Sequence, residues 1–345
     1  MTPRPPTWGI TQGWTRITTV DAHTAGEPFR VVTSGWPDLP GDSIVARRRY
    51  AMAHHDHLRR ALMWEPRGHA DMYGCVLTPP VSPEAHVGVL FIHNEGFSTM
   101  CGHGIIGLVT VLLETGMLEA REPATEVAID TPAGLVRARA AVEGGRVRSV
   151  AFRNVPSFVV ALDRVVEVPG LGPVRLDVAF GGAFYAYVAA ADLGLTCTPA
   201  DLAALVAAAG RIKAAVAAAV PVEHPSEPDL AFLYGVVFTG PGQCPGAVVR
   251  NVCVFADGEV DRSPTGTSVS AQMALFHARG QARTGERRVF ESVLGTCFGG
   301  SVVETTTFGP HPAVVPEVDG SAHLTGRHEF VLDPADTLAG GFLLR

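Results

Sequence analysis

The alternation of apolar and polar positions along the chain predicts many short strands and a few helices. Short runs such as residues 16–24 and 86–94, the latter rich in Val, Leu, Ile and Phe, end in polar residues, as strands do. A longer stretch that begins at Ser43 and is closed by Pro66 predicts a helix over residues 43–64. The pattern therefore predicts an α/β protein.

Both halves of the chain carry the same order of predicted elements. In each half a strand leads into a loop of small residues, and that loop leads into a helix with an apolar face. The first loop contains Cys101 and its helix stops at Gly116, whereas the second loop contains Thr265 and its helix stops at Gly280. The two loops therefore occupy equivalent places in the two halves.

This repetition predicts two domains. The 345 residues, of which 47% are hydrophobic and 18% charged, supply enough material for two cores. We place the first domain at residues 14–152 and the second at residues 153–332. C-terminal residues 333–345 are expected to complete the first domain.

The charge of the chain argues against a polyanionic partner. The net charge is −7 and Lys and Arg form no cluster, so we expect no binding of nucleic acid. The segment from Met1 to Trp14 lacks the apolar core of a signal peptide, and no apolar run approaches the length of a membrane span. We expect a cytoplasmic protein without a membrane segment.

The spacing of cysteines and histidines predicts no metal centre. The six cysteines lie far apart with no C-x-x-C pair, which is untypical of zinc sites and of disulfide frameworks. His54, His55 and His57 are neighbours, but positions i, i+1 and i+3 of a helix do not share one face. We therefore assign no metal ligands.

Residues 102–107 match the pattern G-x-G-x-x-G of dinucleotide-binding proteins. The preceding strand ends near His93, several residues before the glycines, whereas a Rossmann turn follows its strand directly. The alternation of strand and helix that builds a parallel sheet is also missing. The pattern therefore does not predict a nucleotide cofactor.

Cys101 lies where a polar loop becomes an apolar helix. Free backbone N–H groups and the positive end of the helix dipole lower the pKa of a thiol at such a position and favour the thiolate. Gly102 and Gly104 leave the backbone bare, so the same N–H groups can bind a carboxylate. An inert buried thiol is the alternative, but the segment from His93 to His103 is too polar for an inert core.

Several blocks of the sequence together resemble the proline racemase family. The resemblance extends from about Arg16 to the C-terminal region, and the order of the blocks makes it more specific than any single one. The blocks are DAHTAGEPFRVV (21–32), EPRGHADMYG (65–74), HNEGFSTMCGHG (93–104), FGGAFYAYV (180–188) and DRSPTGT (261–267).

The resemblance implies a fold similar to that of diaminopimelate epimerase. Two pseudo-symmetric α/β domains, each with a curved, mostly antiparallel sheet around a central helix, would hold the site in the cleft between them. The N-termini of both central helices would point at a substrate carboxylate. Racemases and 4-hydroxyproline epimerases of the family use a cysteine in each loop, without pyridoxal phosphate or metal, so the resemblance implies no cofactor.

The second loop departs from the racemase pattern at Thr265, where a racemase has cysteine. A threonine hydroxyl has a pKa far above that of a thiol and cannot act as a base near neutral pH. The pair of Cys101 and Thr265 resembles the family members that dehydrate trans-3-hydroxy-L-proline to Δ1-pyrroline-2-carboxylate. A smaller departure is Ser268, where the family pattern leads us to expect glycine.

The resemblance also implies roles for individual residues. Cys101 is the expected general base, and Asp261 is expected to hold the substrate ammonium group. His103 is either an assistant near the hydroxyl group or a structural hydrogen-bond donor. Thr265 is expected to shape the opposite wall. The expected donors to the carboxylate are the backbone N–H groups of Gly102, His103, Gly104, Gly266 and Thr267.

Two alternatives remain open at the level of sequence. The protein could racemise or epimerise a proline-type substrate with a water molecule in place of the second cysteine, or it could bind a proline analogue without turning it over. In each case the expected partner is a small imino acid. A homodimer is implied only by the family.

Overall fold

A continuous hydrogen-bonded network of 18 strands runs through the computed structural model, which describes residues 13–344. Most of the segment from Met1 to Trp14 therefore lies outside the described residues. The first-half strands are β1 (Thr15–Thr24), β2 (Glu27–Ser34), β3 (Tyr73–Thr78), β4 (Val87–His93), β5 (Phe97–Ser98), β6 (Ala124–Thr131), β7 (Gly134–Glu143) and β8 (Arg146–Arg153).

The remaining strands belong to the second half, apart from β18, which pairs with β1. They are β9 (Ser157–Val168), β10 (Gly172–Phe180), β11 (Phe184–Ala189), β12 (Leu233–Gly240), β13 (Ala247–Phe255), β14 (Glu259–Val260), β15 (Arg288–Glu291), β16 (Cys297–Phe308), β17 (His311–Gly320) and β18 (Ala322–Leu332). The helices are α1 (Ile44–His54), α2 (Asp56–Met63), α3 (Gly102–Glu114), α4 (Leu202–Ala219) and α5 (Gly266–Ala278).

The same scheme of strand pairing occurs twice. In the first half β1 and β2 are antiparallel, β2 and β3 parallel, β3 and β4 antiparallel, and β4 and β6 parallel. In the second half β10 and β11 are antiparallel, β11 and β12 parallel, β12 and β13 antiparallel, and β13 and β15 parallel. The repetition read from the sequence is therefore an internal structural repeat.

Each half wraps its strands around one buried helix. In α3 every residue from Gly102 to Leu113 is buried, and in α5 every residue from Gly266 to Leu275 is buried. Both helices belong to one apolar cluster, which includes Phe29, Phe91, Phe152 and Phe290. The expected α/β fold, with strands wrapped around a central helix in each half, is confirmed, and the strands of the two halves form one continuous network.

The ends of the two central helices agree with the sequence prediction. Gly116 (φ 74°) and Gly280 (φ 68°) occupy the left-handed region directly after the helices, where glycine is favoured because it lacks a Cβ. The long helix predicted over residues 43–64 is instead two helices that meet at His55, which serves as C-cap of α1 and N-cap of α2. The Ser43 side chain accepts a hydrogen bond from Ala46 N, as an N-cap should.

The outer faces of the sheets carry the other helices. Helices α1 and α2 cover a separate cluster in the first half, and α4 packs Leu205, Ile212 and Val216 into a cluster of the second half. The helical segment Pro199–Ala219 is long and apolar enough to cross a membrane by length and composition alone, contrary to the sequence estimate. A core helix passes the same test, and this one lies on the sheet with one side buried.

The division into domains stays a prediction, but the path of the chain qualifies it. β18 pairs with β1 from Thr15↔Leu332 to Thr24↔Ala322, so the chain returns to the first half at β18 and not only after residue 332. The C-terminal segment also contacts the first half, because Phe342 N donates to Glu65 O (2.9 Å). The two halves are joined by β17, which pairs with both β8 and β9.

Candidate active site

The N-termini of α3 and α5 meet at two glycines. A Cβ atom on Gly102 would lie 2.5 Å from the Cα atom of Gly266, and one on Gly266 would lie 2.7 Å from the Cα atom of Gly102. Only glycine at both positions allows this approach. The positive ends of two helix dipoles and the free N–H groups of two first turns therefore face the same small volume.

A small cavity lies at this junction. Its wall contains the predicted site residues Cys101, Gly102, His103, Asp261, Thr265, Gly266 and Thr267, and it is completed by Tyr73, Met100, Tyr185, Tyr234 and Phe255. The structure thus brings together seven of the eight predicted site residues.

Cys101 is the N-cap residue of α3. Its sulfur accepts a hydrogen bond from Gly104 N (3.2 Å) and lies 3.3 Å from His103 Nδ1. Tyr73, on the cavity wall, also lowers the pKa of this thiol. Gly104 itself is absent from the cavity wall, so in this structure its N–H supports the thiol, which differs from the predicted role as a carboxylate donor.

Burial raises the pKa of the Cys101 thiol well above its usual range, because the side chain is only 4% exposed. The hydrogen bond from Gly104 N and the Tyr73 side chain lower it, whereas the carboxylates of Asp261 and Glu27 raise it further. The sequence prediction considered the helix N-terminus alone and concluded that the thiolate is favoured. In the folded chain desolvation outweighs that effect, and the thiol is protonated.

His103 lies between the thiol and a carboxylate. Its Nδ1 atom is 3.3 Å from the Cys101 sulfur and 3.9 Å from Asp261 Oδ2. Burial lowers the pKa of His103, opposed by Asp261 and by a hydrogen bond to the Pro28 backbone. A neutral imidazole has one ring nitrogen without a hydrogen, which can accept the thiol hydrogen.

Asp261 is 3% exposed and is held by the turn that follows β14. Its Oδ1 atom accepts from Ser263 N (2.7 Å). Glu27 is a second buried carboxyl group, and its Oε2 atom accepts from Arg262 N (2.6 Å). Burial, followed by the charge of Asp261, raises the pKa of Glu27 well above its usual range. Of these two carboxyl groups, Asp261 is the one on the cavity wall.

Thr265 occupies the wall opposite Cys101, as the N-cap residue of α5. Its φ of 66° lies in the left-handed region, which is costly for a β-branched residue and is typical of functional sites. Its hydroxyl oxygen is buried and makes no hydrogen bond among the described residues. Burial raises the pKa of the Cys253 thiol, and Thr265 is among the groups that lower it.

The rest of the second loop is ordered by tyrosines. The Thr267 hydroxyl hydrogen-bonds to Tyr185 Oη (2.7 Å), and Tyr187 Oη donates to Ser268 O (2.8 Å) and lies 3.3 Å from Ser268 Oγ. Ser268 is therefore buried beside Tyr187 and forms no part of the cavity wall. The backbone N–H groups of Gly266 and Thr267 are those of a first helical turn.

Sequence reasoning missed the aromatic wall. Tyr73 Oη hydrogen-bonds to Ser98 Oγ and lies 3.4 Å from Tyr234 Oη. Tyr73 is part of the block EPRGHADMYG, which carried the family resemblance but singled out no side chain of the cavity wall. His69 has an exposed ring that contacts its own neighbour, whereas Asp71 forms an ion pair with Arg262 (2.9 Å) and so joins the two halves.

A metal ion has no evident place in this site. Among residues 13–344, no group of three or more His, Cys, Asp or Glu side chains is arranged to hold one. His54, His55 and His57 contact each other or Tyr50 through ring faces and edges on α1 and α2.

Comparison with known proteins agrees with this geometry. Residues 19–343 match the sequence profile of the family described as "Proline racemase". A protein of Burkholderia multivorans named 3-hydroxyproline 2-epimerase is 47% identical over 329 residues, which cover 95% of this chain and 98% of the relative. A trans-3-hydroxy-L-proline dehydratase of Azospirillum brasilense is also 47% identical, with the same coverage.

A solved structure shares the whole fold. The crystal structure of a hydroxyproline epimerase from Agrobacterium vitis, with bound trans-4-hydroxy-L-proline, superposes with a TM-score of 0.92 and is 34% identical. The match covers 97% of this chain and 96% of that one. The internal repeat and the cleft between its halves are thus shared with a protein that binds a hydroxyproline.

The contact between the two glycines makes a testable prediction. The Gly102→Ala variant should lose about 1–3 kcal/mol of unfolding free energy and most of its ligand binding, because the new Cβ would force two backbones apart. Chemical denaturation and calorimetry would measure these losses. The matched control is Gly210→Ala on α4, where a Cβ meets no atom within 4 Å, and it should leave both quantities unchanged or raise stability. Equal stability of the Gly102→Ala variant and the wild type would contradict the packing argument.

Proposed function

Because this chain belongs to the proline racemase family, we propose that it dehydrates trans-3-hydroxy-L-proline to Δ1-pyrroline-2-carboxylate without a cofactor. The observation that carries the proposal is that the two opposite walls of the cavity present different chemical groups. One side of the cavity presents a thiol beside an imidazole, and the other presents the hydroxyl of Thr265. Such a site has groups that can exchange a proton near neutral pH on one face of the cavity only.

The substrate would be held by its two charges. Its carboxylate would accept hydrogen bonds from the first-turn N–H groups at the starts of α3 and α5, where the helix dipoles also favour an anion. Its ammonium group would face Asp261. Removal of the α-proton places further negative charge near the carboxylate, and the same fixed donors stabilise it in a cavity shielded from water.

The stereochemistry of the substrate suits a single active face. In trans-3-hydroxy-L-proline the hydroxyl lies across the ring from the carboxylate, and therefore on the same side as the α-hydrogen. Cys101 and His103 lie together on one wall and can reach both groups. A base on the opposite wall would have no part in this reaction.

Protons balance within the pair. The Cys101 thiol transfers its proton to His103, and the thiolate then removes the α-proton. The imidazolium protonates the departing hydroxyl as the bond between C3 and oxygen breaks and a double bond forms between Cα and C3. Water leaves, the thiol and the neutral imidazole are restored, and the enamine tautomerises to the cyclic imine. The raised pKa of the thiol and the lowered pKa of His103 favour the neutral resting pair that this cycle needs.

A second candidate function is 2-epimerisation of 3-hydroxyproline, which the name of the Burkholderia multivorans relative suggests. The observation that favours it is the buried thiol of Cys253 on β13, beside the Thr265 hydroxyl. A proton passed from Cys253 through Thr265 would reach the second face. Epimerisation would then need no cysteine at position 265.

The product of turnover decides between the two functions. Purified protein incubated with trans-3-hydroxy-L-proline should form the cyclic imine, measured by NMR, with no 2-epimer. Trans-4-hydroxy-L-proline is the control substrate, because its hydroxyl is not on the carbon next to Cα and cannot be eliminated by this route. Accumulation of the 2-epimer without imine would replace the dehydratase proposal with the epimerase.

Removal of the thiol should abolish catalysis and leave the fold intact. We expect Cys101→Ala to lower kcat by about 10²–10⁴-fold, the usual contribution of a positioned acid or base. Cys75→Ala, a buried cysteine of β3 in the same apolar cluster, is the matched control and should retain kcat. Circular dichroism would verify that both variants are folded. A Cys101→Ala enzyme with near-normal turnover would remove the thiol from the mechanism.

Substitutions at the opposite wall should have graded effects. Thr265→Ser should keep most of the dehydratase activity, and Thr265→Ala should lose about tenfold, as expected for one hydrogen bond to the substrate. Thr265→Cys should gain slow epimerisation, because it restores a second thiol.

Proton exchange in D₂O provides the decisive measurement for that wall. Wild-type protein given L-proline should form no D-proline, whether or not the α-hydrogen exchanges with retention. Formation of D-proline at a rate comparable to dehydration would show that a base operates on the Thr265 side.

A further inference from the structure

Two cysteines outside the cavity share one hydrogen-bond acceptor. Cys244 lies in the loop between β12 and β13, and Cys297 begins β16. The carbonyl oxygen of Gly295 is 3.0 Å from the Cys244 sulfur and 4.0 Å from the Cys297 sulfur. Cys297 also raises the pKa of the Cys244 thiol, so the two side chains interact. Residues far apart in sequence thus bring two sulfurs side by side.

The backbone around the pair is fixed by Glu291. This carboxylate accepts hydrogen bonds from Gln243 N and from Cys244 N (3.0 Å), and it pairs with Arg250. The Cys244 thiol donates to Glu291 Oε1 (3.3 Å). The neighbouring turn is closed by a hydrogen bond that Ser292 N donates to the carbonyl oxygen of Thr296 (2.8 Å). Both cysteines are therefore placed by ordered hydrogen bonds.

Accessibility separates this pair from the other cysteines. Cys297 is exposed and Cys244 is half-buried, whereas the remaining four are buried. All six are free thiols in the structure. An oxidant from solution would therefore meet Cys297 first, and Cys244 would be the nearest thiol to react with it. Because no third metal-binding side chain of the described residues completes the group, it offers no metal site.

We propose that Cys244 and Cys297 are a modification site that forms a reversible disulfide with low-molecular-weight disulfides such as oxidised glutathione. The Cys297 thiolate attacks one sulfur of the oxidant, which releases one glutathione thiolate and leaves a mixed disulfide on Cys297. Cys244 then loses its proton and attacks the Cys297 sulfur, which releases the second glutathione. Two protein thiols are oxidised and one glutathione disulfide is reduced to two thiols.

The second step should be the slow one at neutral pH. The hydrogen bond to Glu291 is the largest of the causes that raise the pKa of Cys244 to about 11. Only the thiolate attacks a disulfide, so the fraction of reactive Cys244 grows as pH rises towards that value. The mixed disulfide on Cys297 should therefore be detectable at pH 7 and should convert faster to the internal disulfide at pH 9.

The position of the pair gives the disulfide a structural consequence. The turn that precedes Cys297 contacts the turn between β1 and β2, because Thr296 Oγ1 donates to Ala25 O (2.8 Å). A Cβ on Gly26 would lie 2.7 Å from a methyl group of Leu294. Glu27, which accepts from Arg262 N beside the cavity, follows directly. A covalent link between Cys244 and Cys297 lies within the second half and would restrain the turn that makes this contact, so the oxidised protein should unfold at a higher temperature.

Peptide mapping of the intact protein tests the proposal. After treatment with oxidised glutathione at pH 9, tryptic digestion without reductant should yield peptide 214–250 joined to peptide 289–327, with loss of the cross-link on addition of dithiothreitol. The Cys244→Ser variant should instead accumulate the mixed disulfide on Cys297. The Cys297→Ser variant should form neither the internal disulfide nor a mixed disulfide on Cys244. Cys197→Ser, a buried cysteine of the same half, is the control and should behave as wild type.

Two outcomes would overturn the proposal. One is a wild-type protein that retains the mixed disulfide on Cys297 at pH 9 without forming the internal link. The other is a cross-link between different cysteines under the same conditions. The peptide map of the wild-type protein alone would reveal either outcome, so the test does not depend on the folding of the variants.

Discussion

The contact between the backbones of Gly102 and Gly266 is the constraint on which the rest of the structure depends. It fixes the distance between two buried helices, and through them the positions of the sheets that wrap each helix. The contact also places the first-turn N–H groups of both helices around one cavity. A side chain at either position would separate the halves, so packing and ligand recognition have the same geometric requirement.

Desolvation sets the chemistry of this cavity. Cys101, His103 and Asp261 are each at most 4% exposed, and burial is the main influence on the pKa of both the thiol and the imidazole. The N-terminus of α3 has a smaller effect on the pKa of the Cys101 thiol than the sequence alone indicates. A zwitterionic substrate brings its own cation to Asp261, which would cancel the carboxylate charge that disfavours a thiolate.

The sequence alone predicted those features that depend on residues close together in the chain. Gly116 and Gly280 mark the ends of the central helices because their backbone conformation is a local requirement, and the order of elements revealed the internal repeat. The distribution of pKa values was not predictable, since it depends on burial among residues distant in the chain. The hydrogen bond between Gly104 N and the Cys101 sulfur, and the place of Tyr73 on the wall, are likewise products of tertiary packing.

The return of β18 to the first half bears on the order in which the chain can fold during synthesis. Strands β9 to β17 are contiguous in sequence and can pair as soon as residue 320 has left the ribosome. The strand β1, made early, must wait for β18 before its second edge is paired. The nascent chain therefore carries an open strand edge until β18 has been synthesised, and that edge is where it is most exposed to association with other chains.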